Sequence, residues 1–195
     1  MKSLSERLSL WMLAIAALSL VPNGWARKPR TRPAATPVST RLEILDCNDG
    51  DTCRARNPEG LRLKIRLLGI DAPETAKPKH GKRRAQAGQI YGEEAKRALN
   101  ARAKGRTLEA EIRGSDVYGR YLAVLFATGP KGRENLNESL VREGFAYAYR
   151  GKGTAADIRA WAERAEAQAK REKKGFWGLA APPEDPSLFR KRSRP

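Results

Sequence analysis

Histidine and cysteine are nearly missing from this sequence, which holds one of the first and two of the second. A zinc site of His and Cys ligands is thereby excluded, because four such ligands are the usual need and only His80 and one cysteine pair are present. Long apolar runs are scarce as well. Leu8 to Val21 has 14 residues, fewer than the ~20 that cross a bilayer, and nothing later in the chain is apolar enough to span one. No internal repeat occurs, which excludes solenoid and propeller arrays. Acidic residues are outnumbered, 22 against 39 Lys and Arg, and the formal charge of +17 is more than a fold requires. Such a field favours a polyanion, and nucleic acid is the usual one. Solubility or attraction to an anionic cell surface are the duller readings of the charge alone.

What is present first resembles an address. Lys2 and Arg7 precede the apolar run, and Gly24-Trp25-Ala26 offers small residues at the two positions a signal peptidase reads. Residues 1–26 therefore read as a cleaved export signal, with an uncleaved anchor as the alternative. Lys2, Arg7 and Glu6 carry only +1 of the charge, which leaves +16 on the mature chain. Export implies the periplasm or the medium, with no stable membrane insertion after cleavage. In an exported chain Cys47 and Cys53 suggest a disulfide. They lie symmetrically about Gly50, so a hairpin turn at Asp49-Gly50 would face them across two strands. Two free buried thiols are the other possibility.

Residues 27–40 mix Arg27, Lys28, Arg30 and Arg32 with Pro29, Pro33 and Pro37, a linker or mobile arm. From Arg41 the pattern changes. Leu42 to Cys47 reads as a strand, Asp49-Gly50 as a turn, Thr52 to Arg56 as a second strand and Asn57-Pro58-Glu59-Gly60 as another turn. Leu61 to Ile70 alternates apolar and basic residues as a third strand, which Pro73 ends. A basic loop follows, with Lys77, Lys79, Lys82, Arg83 and Arg84. Glu93 to Lys104 reads as a helix stopped by Gly105, then Arg106–Arg113 and Arg120–Ala127 as strands. Asn137–Glu143 is a short helix, Phe145–Tyr149 an extended piece, and Ala155–Lys173 a long helix. Residues 41–178 form the expected domain, and 179–195 a proline-rich, mobile basic tail. Five short strands with helices after the third and the fifth do not alternate as βαβ units do. The expected fold is mainly β with helices (α+β), a partly open five-stranded Greek-key barrel of the oligonucleotide-binding (OB) type.

The chemistry gathers at strand ends. Asp51 and Asp71 are hard oxygen ligands suited to Ca²⁺ or Mg²⁺. Glu74, three residues further on, can hold or deprotonate a water, and Arg66 and Arg120 can grip phosphate oxygens with paired donors. Those are the parts that phosphodiester hydrolysis needs. Tyr147 and Tyr149, at alternate positions, can offer a stacking face to a base, with core packing as the rival role for one of them. Taken singly each residue has a plainer explanation: Asp49-Gly50 as a turn, Asp71 as a turn cap, Glu74 as a loop acid, Arg120 as a strand-end arginine.

Taken in order, the blocks Asp49-Gly50-Asp51-Thr52, Arg66-Leu67-Leu68-Gly69-Ile70-Asp71-Ala72-Pro73-Glu74-Thr75, Tyr91-Gly92, Asp116-Val117-Tyr118-Gly119-Arg120, Asn137 to Gly144 and Glu166 to Lys170 leading to Trp177 resemble the staphylococcal nuclease (thermonuclease) family. The resemblance runs from about Leu42 to Trp177. It implies an OB-fold barrel with three α-helices, and Ca²⁺ held by Asp51, Asp71 and the backbone carbonyl of Ala72. It further implies phosphate binding by Arg66 and Arg120, Glu74 as general base, Tyr118 against the nucleotide and Asp49 as a nearby acid. The implied reaction cuts DNA or RNA at the bond between phosphorus and the 5′ oxygen, leaving a 3′-phosphate, in a monomer. The chain departs from the family pattern at Ala72, where a threonine is usual, and at Val117, where a lysine is common. The loop after Thr75 is longer and the stretch after Gly144 shorter. A catalytically weak or inactive nucleic-acid-binding module is the alternative on the same fold. A basic envelope adhesion protein would explain the charge but not the carboxylate spacing.

Overall fold

A computed structural model describes residues 36–78, 85–130, 132–151 and 153–193. The export-signal reading over 1–26 and the loop residues 79–84, His80 among them, lie outside the described residues.

Alternating burial builds the strands. In β1 (Val38–Cys47) Leu42 and Ile44 point inward; a bulge between Ile44 and Asp46 then shifts the phase, so that Cys47 is buried. β2 (Thr52–Arg56) and β3 (Arg62–Leu67) follow as a meander, with Ala55, Ile65 and Leu67 inside. After α1 (Gly92–Ala103), β5 (Thr107–Ser115) pairs back on β1 and β6 (Tyr121–Gly129) pairs on β5. The first half of β6 also runs parallel to β3, Ile65 opposite Tyr121 and Leu67 opposite Ala123, which closes a five-stranded barrel. Its second half carries β7 (Gly132–Asn135) as an outer hairpin partner. Closure removes the free edges that an open sheet of this size would expose. The expected OB-type α+β barrel is the observed fold.

Helices cover the barrel with small side chains. α1 contributes Ala95 and Leu99 and α2 (Leu136–Arg142) contributes Leu136 and Leu140 to the core. α3 (Ala156–Arg171) buries Ile158, Ala162, Ala165 and Ala169, the spacing of one helical face. Asn135 caps α2 by accepting from the Glu138 N–H at 3.1 Å. The next residue but one, Asn137, is wholly buried; its Oδ1 accepts from Leu125 N and its Nδ2 donates to the carbonyls of Leu68 and Ala123, at 2.9–3.1 Å. That one amide ties β6 to the bend that precedes the acidic motif.

Three expectations need correction. β1 begins at Val38 rather than Leu42, because Val38 to Arg41 find partners in Ile112 to Glu109. The third strand does not run on to Ile70. It breaks at Leu68-Gly69, where Gly69 takes φ +77° beneath Ile158 and Trp161, and β4 (Ile70–Asp71) restarts against β8 (Tyr147–Ala148). The stretch read as a mobile tail carries a fourth helix, α4 (Pro186–Arg192). Asp185 caps it, accepting from the Ser187 N–H at 2.8 Å, Pro186 opens it and Phe189 is buried against the domain.

Candidate active site

The site begins with a clamped loop. Cys47 and Cys53, register partners on β1 and β2, are disulfide-bonded and buried, as the spacing about Gly50 suggested. Between them Asp49 accepts from the Asp51 N–H at 3.1 Å. Gly50 is not glycine for the sake of its φ. A Cβ there would lie 2.5 Å from the Ala72 Cβ and 2.8 Å from the Ala95 Cβ, so the loop packs directly on the acidic motif and on α1. Asp51 is thereby turned inward: its Oδ1 accepts from the Thr52 hydroxyl at 3.1 Å and its Oδ2 from the Ala72 N–H at 2.9 Å.

Arg66, on β3, reaches across to both aspartates. It forms an ion pair with Asp51 Oδ2 and donates through Nη2 to Asp71 Oδ1 at 2.9 Å. Burial opposes ionisation of Asp51, but the Arg66 guanidinium and the Ala72 N–H outweigh it and hold the carboxyl below the usual range. Asp49 is pushed up to about 7, first by burial and then by the charge of Asp51 beside it. Burial also raises Asp71, against the pull of Arg190 and Arg66. The two metal-ligand candidates therefore converge on one guanidinium.

Glu74 follows on a loop held by Gln89, whose Oε1 accepts from the Glu74 N–H at 3.0 Å and whose own N–H donates to the Glu74 carbonyl at 2.8 Å. Its carboxylate takes bonds from Lys77 at 3.1 Å and Arg190 at 2.9 Å. Just ahead of β6, the strand beside β3, Asp116 folds the turn by accepting from the N–H groups of Tyr118 and Arg120. It also pairs with the Arg120 guanidinium at 2.7 Å, which aims Arg120 toward Thr52. Tyr118 is exposed, with Arg120 5.5 Å from its ring centre.

Asp49, Asp51, Arg66, Glu74, Tyr118, Arg120 and Tyr149 line one cavity of about 830 Å³, with Lys64, Lys77 and Arg190 around them; Asp71 is outside that lining and is bonded to Arg66 and Arg190, which belong to it. Tyr147, paired with Tyr149 in the sequence reading as a substrate contact, does not line it. It is buried, stacked on Phe176 at 4.7 Å, and its hydroxyl donates to the Pro183 carbonyl. β8 places alternate side chains on opposite faces only while the strand lasts, and it ends at Ala148. Three residues escaped the sequence reading. Lys64 was visible in the β3 alternation, two before Arg66. Asp116 was visible as the opening residue of an Asp-x-x-Gly turn. Arg190 had no local signal, lying 119 residues from Asp71.

The donor set fits a hard divalent cation. Asp51 and Asp71 supply oxygens, Ala72 is joined to Asp51 by its backbone N–H, and among the described residues both cysteines are tied up in the disulfide. Among the described residues no three His, Cys, Asp or Glu side chains form a metal cluster of their own, so a cation there would keep several water ligands.

A closed OB barrel with acids and arginines sharing one basic-rimmed cavity defines a phosphodiesterase of the endonuclease type. The family model described as Staphylococcal nuclease homologue matches residues 64–178. Endonuclease Htp3 of Saprolegnia parasitica is 28% identical over 154 residues, 71% of this chain and 70% of that protein. Micrococcal nuclease of Shigella flexneri is 31% identical over 143 residues, 70% of this chain and 73% of its own length. The rice protein named Probable staphylococcal-like nuclease CAN1 is 33% identical over 153 residues, 77% of this chain but only 40% of that longer protein. The chain belongs to the staphylococcal nuclease family.

Proposed function

We propose that this nuclease is an exported, Ca²⁺-dependent enzyme that cuts DNA or RNA at the P–O5′ bond and leaves 3′-phosphate ends. The observation that carries the reading is that Asp51, Glu74, Arg66 and Arg120 line one cavity, with Asp71 just behind it, bonded to Arg66. The basic excess supports a polyanionic substrate, and the apolar run of residues 8–21 with the Cys47–Cys53 bond supports action outside the cytoplasm.

Asp51, Asp71 and the Ala72 carbonyl would hold the cation, which supplies charge stabilisation at a phosphoryl oxygen. Glu74 takes a proton from the attacking water as its oxygen bonds to phosphorus. The bond to the 5′ oxygen breaks with its electron pair leaving on that oxygen, which is then protonated. Arg66, on β3, and Arg120, just ahead of the neighbouring β6, stabilise the developing negative charge, a role worth on the order of 3–4 kcal/mol per donor in other enzymes. Asp116 preorganises Arg120, and Tyr118 and Tyr149 stand at the rim where an unpaired base can stack, worth about 1–3 kcal/mol. Single strands therefore suit the cavity.

Digestion of a labelled oligonucleotide with end-group analysis tests this. The expected products carry 3′-phosphate and 5′-hydroxyl ends, appear with Ca²⁺ and cease in excess chelator. Products with 5′-phosphate ends, or undiminished turnover in chelator, would contradict it.

A further inference from the structure

The C-terminal helix places a cation of its own on the acids of the site. Arg190 donates through Nη2 to Asp71 Oδ2 at 2.7 Å, and through Nη1 to Asp71 Oδ1 at 3.0 Å and to Glu74 Oε1 at 2.9 Å. Asp71 Oδ1 also accepts from Arg66, so both oxygens of this nearly inaccessible carboxylate are taken by guanidinium donors. The contact is built rather than casual. Phe189, next in sequence, is buried, the Tyr147 hydroxyl donates to the Pro183 carbonyl, and Gln89, which holds Glu74, donates to the Glu184 carbonyl at 2.6 Å. α4 is thus docked by one set of contacts and plugs the site with another.

A hard divalent cation binds carboxylate oxygen at about 2.3–2.6 Å. At Asp71 it would then sit within a few ångströms of the Arg190 charge, competing for the same lone pairs. We infer that α4 is a built-in antagonist of the cation site: Arg190 and the divalent cation exclude each other at Asp71, so loading the site requires α4 to withdraw its guanidinium. By linkage, a docked α4 weakens the cation by the same factor that the cation weakens docking. The inference rests on the reading of Asp51 and Asp71 as cation ligands.

Isothermal titration of Ca²⁺ into the full chain, without nucleic acid, tests it through the sign of one change. Arg190→Gln removes charge-assisted hydrogen bonds from the acids, and the expected result is Ca²⁺ binding at least about tenfold tighter than wild type. Phe189→Ala, which loosens α4 and keeps the arginine, is expected to tighten binding in the same direction. Hydrogen exchange of residues 186–192 should rise on adding Ca²⁺ to wild type. Equal or weaker binding by Arg190→Gln, with its unfolding temperature retained, would overturn the inference and make Arg190 a support for Asp71. Absence of Ca²⁺ binding by every form, or binding that survives Asp71→Asn in the Arg190→Gln background, would overturn the cation-site reading itself.

Discussion

Replacing Gly50 by alanine should disturb the site through packing alone. The added Cβ would stand 2.5 Å from the Ala72 Cβ and 2.8 Å from the Ala95 Cβ, whereas unbonded carbons settle at about 3.5–4.0 Å. The loop must therefore retreat by about 1 Å, and it cannot pivot freely because Cys47 and Cys53 clamp both its ends. Retreat stretches the 2.9 Å bond from the Ala72 N–H to Asp51. Overpacking of this kind costs about 1–3 kcal/mol, and misplacing a reacting group by about 1 Å costs on the order of 100-fold in rate. Urea unfolding and initial rates on labelled single-stranded DNA at saturating Ca²⁺ measure the two effects. Adding Ala72→Gly removes the nearer clash and leaves Ala95, so the double variant should regain part of the stability, with a coupling of about 0.5–1 kcal/mol. Wild-type stability together with wild-type rates in Gly50→Ala would refute the packing argument.

Glu166 predicts a pH signature. Burial opposes its ionisation, but Arg150, Lys170 and the Ala148 N–H hold its pKa below 4.5. A depressed folded pKa contributes stability above pH 4.5 that is lost as pH falls through the folded value. Glu166→Gln should cost about 2 kcal/mol at neutral pH, less than a fully buried pair because both cations are half exposed. The cost should shrink in acid, and a difference independent of pH in urea titrations would refute the assignment. Removing the disulfide by Cys47→Ala with Cys53→Ala opens a loop closed across six residues, worth about 2 kcal/mol in chain entropy. Denaturant unfolding and cleavage should both weaken, and an unchanged midpoint would contradict the clamp.

The barrel was legible because its strands are half-buried: Leu42 and Ile44, or Ile65 and Leu67, announce a period of two directly. The acidic motif was legible because Asp51 and Asp71 sit at strand ends, where apolar alternation stops, and Glu74 follows three residues later. Other features depend on distant partners. The break at Gly69 is dictated by Ile158 and Trp161 overhead, and Gly50 owes its identity to Ala72 and Ala95 rather than to its own turn. Tyr147 and Tyr149 look equivalent in the chain, and only Phe176 and Pro183 separate the core ring from the rim ring. Composition misread the tail, since Asp185-Pro186 is a helix start and Phe189 an anchor among the basic residues.

Single-turnover cleavage of end-labelled single-stranded DNA at saturating Ca²⁺ by wild type, Glu74→Gln and Arg120→Ala, with DNA binding measured in parallel, tests whether the shared cavity carries the reaction. Each variant should lose about 100-fold or more in rate while remaining folded and binding DNA within several-fold of wild type. Cleavage by either variant at close to the wild-type rate would mean that these side chains do not carry the reaction.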